Sequence, residues 1–529
     1  MRHTPKDLRM RPGPVLAAAL LGWAPGCSPS GATPPSVTTV NASDGATSAP
    51  DGTIAEAEAQ RPVDSAVSTD AMSPSSAYDS GAYDATVDGP AVPWMPDGRY
   101  SGNPIIQTLF TADPTARVWG DGRIYLYPSH DIDPPQGCNL MDKYHVYSSS
   151  NMVDWIDEGQ ILQASEVSWG RSEGGFMWAP DIAHVNDTYY YYFPHPSGNG
   201  AAWNNTWKIG VATSTSPATG FTSQSYIPGL DSEIDPAVFI DDDGQAYLYI
   251  GGGGVSEGGK LSGDMVEMEA PMQPMQGLVD FHEATWLHKR NGTYYFSYSD
   301  NTSPRNQMRY ATSSSPLGPW TYRGIILDPT NDAVSHGSIV EYLGQWYLFY
   351  LTADISQQDW LRSVSVDRLE YNSDGTIQLV TPTSMGVPSV GPPEVRPVIG
   401  KYEAEDGKIT IATVMADPAA SGGKSVGGFG TAGAQVQFLN VDAGPGGRTT
   451  LHVYFATNAP TSPTDWPKLH LTVNGEDYSF INTPPTGGFS TYTGHAYVTV
   501  PMTAGQTNTI TLANGDEDLN VDYITTTGF

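Results

Sequence analysis

The chain has 529 residues, more than one hydrophobic core usually organises, so two or more folded units are expected. Asp and Glu outnumber Lys and Arg by 57 to 25, which gives a formal net charge of −32. A surface of that sign makes nucleic acid and anionic membranes poor partners, whereas neutral ligands are indifferent to it.

The N-terminus has the order of a signal peptide over residues 1–27. Basic residues precede the apolar run Val15–Trp23, which is too short to cross a bilayer, and small residues follow it. The stretch Ala24–Cys27 resembles a bacterial lipobox, in which Cys27 would carry a lipid anchor; ordinary secretion is the alternative. Both alternatives predict a secreted or cell-surface protein of the bacterial envelope. Only Cys138 then remains, so no intrachain disulfide is expected.

The next segment, residues 28–95, consists mainly of Ala, Ser, Thr, Pro, Asp and Gly with almost no aliphatic clusters. Such a segment cannot bury enough apolar surface to offset the entropy lost on ordering. We therefore predict a disordered linker here.

Residues 96–395 change to short Tyr- and Val-rich runs broken by Gly, Asn and Asp turns, which predicts an all-β region. One pattern recurs in this region: a polar residue, an apolar stretch, a turn glycine and an aromatic strand. The polar residues are Asp113, Asp235, Glu283 and His336, and the turn glycines are Gly122, Gly244, Gly292 and Gly344. A fifth, shorter copy spans residues 179–192, with Asp187 in the place of the glycine.

Repeats at intervals of about 50 residues with strand-turn-strand content are typical of propeller blades. Five copies predict a five-bladed β-propeller. The innermost strand of each blade runs along the central axis, so equivalent positions of the repeats converge on one end of the cavity. Asp113, Asp235, Glu283 and His336 are therefore expected to meet, although they are distant in sequence.

Three carboxylates that face one cavity are suited to cleaving a glycosidic bond, which needs an acid for the leaving oxygen and a base for water. A third carboxylate can raise the pKa of the acid by like-charge repulsion. The alternative is that Asp113 and Asp235, each followed by proline, cap turns. Their recurrence at one register of the repeat favours a site.

Residues 103–350 resemble glycoside hydrolase family 43, and the motifs that carry the resemblance cover nearly the whole propeller. These motifs are Asn103–Ile106, Ala112–Pro114, Trp178–Asp181, Ile234–Gly244, His282–Gly292 and His336–Val340. The resemblance implies an inverting mechanism with Asp113 as general base, Glu283 as general acid and Asp235 as the residue that modulates the pKa of the acid. No cofactor is implied for the chemistry.

The same resemblance implies two further roles. His336 matches a histidine that helps to hold a calcium ion near the propeller axis, with a hydrogen bond inside the tunnel as the alternative. Trp178 matches a tryptophan that stacks on the sugar, with core packing as the alternative. The acidic stretch Asp241–Gly244 lacks the ligand spacing of a calcium loop, so a hairpin turn is favoured.

Residues 400–529 form a second all-β unit whose alternating strands predict a β-sandwich, and Thr381–Pro397 is interpreted as a linker. The unit resembles carbohydrate-binding modules of family 6 or 35 through Tyr402–Glu405 and Asn520–Ile524. The resemblance implies a structural calcium ion and a sugar site. The implied calcium ligands are Glu403, Glu405 and Asp522, and the sugar-binding candidates are Asn520 and Trp466. A sandwich without ligand is the alternative.

Together these patterns predict a monomeric glycoside hydrolase that acts on plant hemicellulose. The preferred activity is that of an α-L-arabinofuranosidase on arabinoxylan. β-Xylosidase action on xylan and endo-arabinanase action on arabinan are the alternatives, because the three acids are common to all of them. The alternative from a different class is a non-catalytic sugar-binding propeller, which should have lost at least one of the acids.

Overall fold

The computed structural model describes residues 98–132, 140–198, 206–231, 234–458, 466–514 and 517–528. The predicted signal peptide with Cys27, the predicted linker over residues 28–95 and Cys138 lie outside these ranges. In the described part of the chain, no helix is long and apolar enough to span a membrane. Its short 3₁₀ turns are Ala164–Glu166, Ala404–Asp406 and Ser421–Gly423.

The first part of the described chain forms five antiparallel sheets, each made of consecutive strands. Blade I contains β1 (Thr111–Val118), β2 (Ile124–His130), β3 (Lys143–Ser149) and β4 (Ile156–Gln163). Blade II contains β5 (Asp181–Val185), β6 (Thr188–Pro196), β7 (Trp207–Ser214) and β8 (Thr222–Asp231). Blade III contains β9 (Ala237–Ile240), β10 (Ala246–Gly252), β11 (Val255–Lys260) and β12 (Gln273–Pro274). Blade IV contains β13 (Glu283–Arg290), β14 (Thr293–Ser299), β15 (Met308–Ser313) and β16 (Thr321–Leu327), and blade V contains β17 (Gly337–Tyr342), β18 (Gln345–Thr352) and β19 (Ser363–Leu369).

These sheets form a ring. The first strand of each blade contacts the first strands of both neighbouring blades, and β17 contacts β1 to close the circle. A separate hydrophobic cluster fills each of the five gaps between adjacent blades. The prediction of a five-bladed β-propeller is therefore confirmed.

The turn at the end of each first strand explains the glycine of the repeat. The turn glycines of blades I, III, IV and V have φ angles of 78°, 83°, 76° and 80°. This left-handed backbone carries no steric cost for glycine. In blade II the turn is made by Asn186 and Asp187, with φ angles of 50° and 60°. Asn and Asp tolerate that region better than other residues with side chains, which explains why Asp187 can replace the glycine.

The ring is also closed by the segment that precedes β1, which lies against β19 of blade V. Ile105 donates its backbone N–H to the carbonyl of Val364 at 2.9 Å, and Thr111 donates to the carbonyl of Arg362 at 2.9 Å. Asn103 adds a side-chain hydrogen bond to the carbonyl of Val366 at 3.0 Å. The two ends of the propeller are thus held together by hydrogen bonds on the outside of one blade.

The second part of the chain packs two antiparallel sheets face to face around one apolar core. The first sheet contains β20 (Val398–Glu403), β22 (Thr413–Ala416), β23 (Lys424–Gly427), β25 (Gly447–Ala456), β28 (Gly494–Met502) and β30 (Asn520–Gly528). The second sheet contains β21 (Lys408–Thr410), β24 (Gln435–Asp442), β26 (Lys468–Val473), β27 (Glu476–Asn482) and β29 (Gln506–Asn514). The predicted β-sandwich is present.

The segment interpreted as a linker from the sequence, Thr381–Pro397, follows the surface of the propeller. Ser101 donates its backbone N–H to the carbonyl of Val387 at 2.9 Å, and Val390 donates to the carbonyl of Asn151 at 3.0 Å. Hydrogen bonds of this kind remove the freedom that a flexible connection would need.

The sandwich contacts the propeller at both ends of blade I. Thr499 of β28 donates its backbone N–H to Asp157 Oδ2 at 2.8 Å, near the start of β4. Asn482 of β27 donates its backbone N–H to the carbonyl of Thr108 at 2.9 Å, just before β1. Strands alternate in direction within a blade, so these two contacts lie at opposite ends of it. The sandwich is therefore fixed along the side of the propeller.

Candidate functional site

The predicted catalytic residues lie at the starts of inner strands, where the ladders are irregular. In β1 the pairing shifts by one residue between Ala112 and Thr115, and in β13 it shifts between Glu283 and Trp286. Each shift is a β-bulge, which turns side chains out of the regular alternation. Asp113 itself has φ 46°, so its side chain is directed by an unusual backbone conformation.

Asp235 and Glu283 occupy the corresponding places in blades III and IV. Asp235 has φ 50°, and its Oδ2 accepts a hydrogen bond from the backbone N–H of Ala284 at 2.8 Å. Ala284 in turn has φ 65°. The backbone next to Glu283 is therefore bonded directly to the carboxylate of Asp235, which joins the two blades at the site.

Asp113 is almost fully buried but lies in a positively charged environment. Arg362 donates from Nη1 to Asp113 Oδ1 at 2.8 Å, and Ser129 donates its hydroxyl to Asp113 Oδ2. His336 Nδ1 lies 3.5 Å from Asp113 Oδ1. Burial alone would raise the pKa of Asp113, but Arg362, His336 and Ser129 together outweigh it and lower the pKa. Asp113 is accordingly an ionised carboxylate at neutral pH.

Asp235 is in the opposite situation. Its pKa is raised well above the ordinary value, first by burial and then by the charges of Glu283 and Asp113. A second buried carboxylate close by disfavours ionisation of Asp235 further. Asp235 therefore retains its proton at pH values where an isolated carboxyl would have lost it. The site thus contains one ionised carboxylate, Asp113, and one proton-holding carboxyl, Asp235.

Arg362 connects Asp113 to a further carboxylate, Asp131. Arg362 donates from Nε to Asp131 Oδ2 and from Nη2 to Asp131 Oδ1, both at 2.9 Å. The backbone N–H of Arg362 also donates to Asp131 Oδ2, at 2.8 Å. Asp332, buried nearby, has its pKa raised to about 7, mainly by burial, while the charge of Arg362 opposes the rise.

Sequence reasoning did not find Arg362, Asp131, Ser129 or Asp332. It examined the first strand of each blade, whereas Ser129 lies in β2, Asp131 follows β2 and Arg362 precedes β19. Their positions share no register with the repeat. The only available signal was the expectation that a buried carboxylate needs a cationic partner, which does not say which arginine supplies it.

His336 lies beside Asp113, as the repeat predicted. Burial lowers its pKa, as does Arg362, although the charges of Asp113 and Glu283 oppose this effect. Within the described residues no group of three or more His, Cys, Asp or Glu side chains is placed to hold a metal ion. The calcium ion at His336 stays a prediction, and the observed neighbours of the imidazole are a carboxylate and a guanidinium.

Trp178 lies next to the site but is only 5% exposed. It packs in an apolar cluster with Phe176, Trp207 and Ile234, and its ring centroid is 4.1 Å from that of Trp207. Ile234 immediately precedes Asp235, so Trp178 supports the backbone of the site. Its role in stacking on a sugar stays a prediction.

Two acidic features outside the trio have structural partners. Asp181 accepts hydrogen bonds from Arg117 and from the backbone N–H of Val238, the latter at 2.7 Å, which ties blades I, II and III together. Asp241 begins the turn between β9 and β10 and pairs with Lys289 at 2.6 Å. The acidic stretch is therefore a hairpin turn, as the sequence favoured.

The predicted residues of the sandwich fall into two places. Asn520 donates from Nδ2 to the carbonyl of Phe489 at 2.7 Å, on a loop between β27 and β28. Trp466 lies elsewhere and packs against the propeller residues Phe110, Ile355 and Leu361. Trp466 is therefore part of the contact between the sandwich and the propeller.

The predicted calcium ligands of the sandwich approach one short turn. Ser421 donates its backbone N–H to Asp522 Oδ1 and its hydroxyl to Glu403 Oε1, both at 2.9 Å. Glu403 Oε2 and Glu405 Oε2 are buried and have no hydrogen-bond partner among the described residues. The pKa of Asp522 is raised by burial and by the charges of Glu403 and Glu405. Lys401 Nζ lies 2.8 Å from Glu403 Oε1, and these three side chains do not form a ready metal-binding group among the described residues. Carboxylate oxygens that are buried without a hydrogen-bond donor are nevertheless chemically suited to a cation.

An ionised carboxylate and a proton-holding carboxyl, presented from different blades with a further glutamate between them in the ring, can act on opposite sides of an acetal. One group can remove a proton from water while the other delivers a proton to the leaving oxygen. Together with the five-bladed propeller, this site defines a glycoside hydrolase.

Comparison with known proteins identifies the family. A family model described as glycosyl hydrolases family 43 matches residues 101–377. Xylosidase/arabinosidase 43A of Humicola insolens is 34% identical over 330 residues, which cover 52% of this chain and 98% of that protein. The arabinoxylan arabinofuranohydrolase of Bacillus subtilis (strain 168) is 30% identical over 459 residues, covering 74% of this chain and 85% of that protein. The chain belongs to glycoside hydrolase family 43, a family of inverting glycosidases.

Among solved structures, a β-xylosidase/α-arabinofuranosidase of the same family from a compost microbial metagenome, in complex with xylotriose and in a calcium-free form, is 34% identical. The match covers 54% of this chain and 99% of the chain of that structure, with a TM-score of 0.49.

Arg362 binds two buried carboxylates, so replacing Arg362 should lower the stability of the protein by an amount that depends on pH. Arg362→Met should destabilise the protein by about 3–5 kcal/mol at neutral pH, because Asp113 and Asp131 remain buried without a cation. In the native protein the lowered pKa of Asp113 contributes stability that is lost as the pH falls through that pKa. In the variant the pKa of Asp113 rises above its value in the unfolded chain. The loss in free energy of unfolding relative to the native protein should therefore become smaller as the pH falls towards about 4.

Thermal unfolding of both proteins at neutral and acidic pH measures this effect. Arg368→Met is the matched control, since Arg368 lies on the adjoining strand β19 with an exposed side chain. A deficit of the same size at both pH values would contradict the assigned charge state of Asp113.

Proposed function

We propose that Asp113 is the general base, Glu283 the general acid and Asp235 the residue that keeps a proton available to Glu283. The observation that carries the proposal is the contrast in charge state: the Arg362 guanidinium lowers the pKa of Asp113, whereas burial and the nearby charge of Glu283 raise that of Asp235. Acid and base catalysis in one site requires such a separation of pKa values. Arg362 is the group that maintains it.

In this mechanism, Asp113 takes a proton from a water molecule that attacks the anomeric carbon. Glu283 gives its proton to the glycosidic oxygen, which leaves as an alcohol. Inversion requires roughly 6.5–9.5 Å between two such carboxyls, which leaves room for the water, and no covalent bond to the enzyme forms. Arg362 and Ser129 hold the Asp113 carboxylate in place throughout.

For the substrate we propose arabinoxylan, from which the enzyme removes α-L-arabinofuranosyl side chains. The support is the similarity to the arabinoxylan arabinofuranohydrolase of Bacillus subtilis, which extends over 74% of this chain. That similarity extends over more of the chain than the family match, which covers residues 101–377. The name of the Humicola insolens relative, xylosidase/arabinosidase, keeps β-xylosidase action as the second candidate.

The enzyme should release arabinose as the first product from arabinoxylan, and Glu283→Gln should lower this rate at least about a hundredfold by removing the acid. With an aryl glycoside whose leaving group is strongly acidic, the loss should be smaller, because such a group departs without protonation. Chromatography of the products and initial rates on both substrates provide the measurement. Glu341→Gln, an exposed glutamate on inner strand β17, is the control.

If the dominant product is xylose released from xylo-oligosaccharides, the substrate is xylan fragments and the proposal of arabinoxylan is wrong. Oligosaccharides released from linear arabinan would indicate endo-arabinanase action. An equal loss on both substrates in Glu283→Gln would remove Glu283 from the role of acid.

We propose further that the sandwich is a carbohydrate-binding module with its sugar site at Asn520. The support is the exposed residue Phe489, 39% accessible, whose backbone carbonyl accepts the side-chain amide of the buried Asn520. Tyr492 lies on the same loop, with its hydroxyl 2.8 Å from Ser425 Oγ. An exposed aromatic face next to fixed polar groups is the usual composition of a sugar site.

Phe489→Ala should weaken binding to soluble arabinoxylan by about tenfold, because it removes the stacking face. Affinity electrophoresis of a protein inactivated by Glu283→Gln measures binding without hydrolysis. Leu439→Ala, which removes an exposed apolar side chain from the second sheet, should leave binding unchanged. Equal retardation of both variants would argue against a sugar site at Asn520.

We propose that Glu403, Glu405 and Asp522 hold a calcium ion that stabilises the sandwich. The support is the pair of buried oxygens, Glu403 Oε2 and Glu405 Oε2, that lack a hydrogen-bond partner among the described residues. A bound cation would offset the repulsion that raises the pKa of Asp522. The ion would have a structural role and take no part in the chemistry.

Calcium at roughly a hundred times its dissociation constant should stabilise the folded protein by about 2–3 kcal/mol. A chelator should lower the thermal unfolding midpoint, and excess calcium should restore it. In Glu405→Gln the chelator should have little effect, whereas Glu476→Gln, an exposed control, should respond like the native protein. Insensitivity of the native protein to the chelator would exclude the structural ion.

A further inference from the structure

The short segment Thr108–Thr111 lies between the sandwich and the active site. Only Ala112 separates it from Asp113 in the chain. One side of it is bonded to the sandwich, and the other is bonded to the charged groups of the site. The contacts to the sandwich lie outside the hairpin ladders of blade I, whereas the bond from Asp131 to Phe110 continues the β1–β2 ladder by one step. The segment therefore couples the position of the sandwich to the position of Asp113.

On the sandwich side, the segment is held by one hydrogen bond and by apolar packing. The carbonyl of Thr108 accepts the backbone N–H of Asn482 at 2.9 Å. Leu109, only 5% exposed, is a member of the main apolar core of the sandwich although it belongs to the propeller part of the chain. Phe110 packs with Ile355 and Leu361, and Trp466 of the sandwich covers this cluster.

On the site side, the same residues bind the partners of Asp113. The carbonyl of Phe110 accepts the backbone N–H of Asp131 at 3.2 Å, and the backbone N–H of Thr111 donates to the carbonyl of Arg362 at 2.9 Å. Asp131 and Arg362 are themselves bonded to each other three times, and Arg362 binds Asp113. A shift of Phe110 would therefore move both groups that fix the Asp113 carboxylate.

The sandwich can act as a fixed support because it is anchored a second time, at the other end of blade I. There Thr499 donates to Asp157 at 2.8 Å, and Arg448 donates from Nη1 to the carbonyl of Ala218 of blade II at 2.8 Å. Two anchors at opposite ends of a blade prevent a swinging motion. A module joined only by a tether would have neither.

We propose that the C-terminal sandwich is a positioning element of the active site, which acts through Asn482, Leu109 and Trp466 on the segment that places Arg362 and Asp131 around Asp113. This inference rests on the proposed role of Asp113 as the base. Catalytic groups need to be held within about 0.5 Å of their productive positions, and supporting contacts supply that accuracy. The sandwich thus contributes to turnover as well as to carbohydrate binding.

The test uses the full-length enzyme with a small aryl α-L-arabinofuranoside, which does not depend on the sugar site at Asn520. Leu109→Ala and Trp466→Ala should each lower kcat/KM by about tenfold, because the Arg362 contact with Asp113 loosens. Looser contact also raises the pKa of Asp113, so the acidic limb of the kcat/KM profile should move to higher pH by about half a unit. Leu109→Met, which conserves volume, should restore both values.

The matched control is Leu512→Ala, which removes the same volume from the second sheet of the sandwich, within the same apolar core. It destabilises the sandwich on strand β29, which is not the strand that carries the hydrogen bond to Thr108. Its pH profile should therefore match that of the native enzyme below its unfolding temperature. Trp466→Ala removes a partly exposed side chain, so it keeps the test valid if Leu109→Ala fails to fold.

Profiles of Leu109→Ala and Trp466→Ala that coincide with that of Leu512→Ala would overturn the positioning role. Asp113→Asn separates this result from a failure of the proposed function. If Asp113→Asn is inactive and the pH profiles of Leu109→Ala and Trp466→Ala are unshifted, Asp113 remains the base. In that case only the positioning role of the sandwich is rejected. Near-normal activity of Asp113→Asn would remove the base assignment itself, and the inference with it.

Discussion

Two buried carboxylates, Asp113 and Asp131, share one guanidinium, and the arrangement of the site depends on this contact. A carboxylate taken out of water must be paired or protonated, because desolvation disfavours its charged form. The Arg362 guanidinium offsets that desolvation penalty for Asp113, so Asp113 stays ionised although it is buried. Within the described part of the chain, Asp235 has no salt bridge to a cation, and burial together with the charges of Glu283 and Asp113 raises its pKa. One asymmetrically placed cation thus creates two charge states at one site.

The propeller supplies the geometry in which such an asymmetry can be used. Its inner strands begin at one end of the axis, so blades I, III, IV and V each bring one side chain of the repeat to a common site. Bulges at the starts of β1 and β13 and positive φ angles at Asp113 and Asp235 turn these side chains away from the regular ladder. The strain of these positions is tolerated because the clusters between blades hold the strands firmly.

The contact between the propeller and the sandwich shows that the sandwich is packed against the propeller and does not hang from a free linker. A sandwich that receives Leu109 into its own core cannot be removed without exposing an apolar side chain next to the active site. Binding of a polysaccharide by the sandwich and hydrolysis by the propeller would then take place on one rigid body. A fixed distance between the two sites is advantageous for a stiff, insoluble substrate, since binding at one site limits the search for the other.

The sequence by itself determined the propeller, its five blades and the meeting of Asp113, Asp235, Glu283 and His336. A repeat specifies which positions are equivalent, and ring closure makes equivalent positions neighbours. The tertiary structure alone decided that Arg362 and Asp131 complete the site, since they lie on loops outside the repeat, where no periodic pattern marks them. It also decided that Trp466 contacts the propeller and that the segment Thr381–Pro397 is bound along its surface. Contacts between separately folded units depend on the shape of two surfaces, and no local pattern in either sequence records that fit.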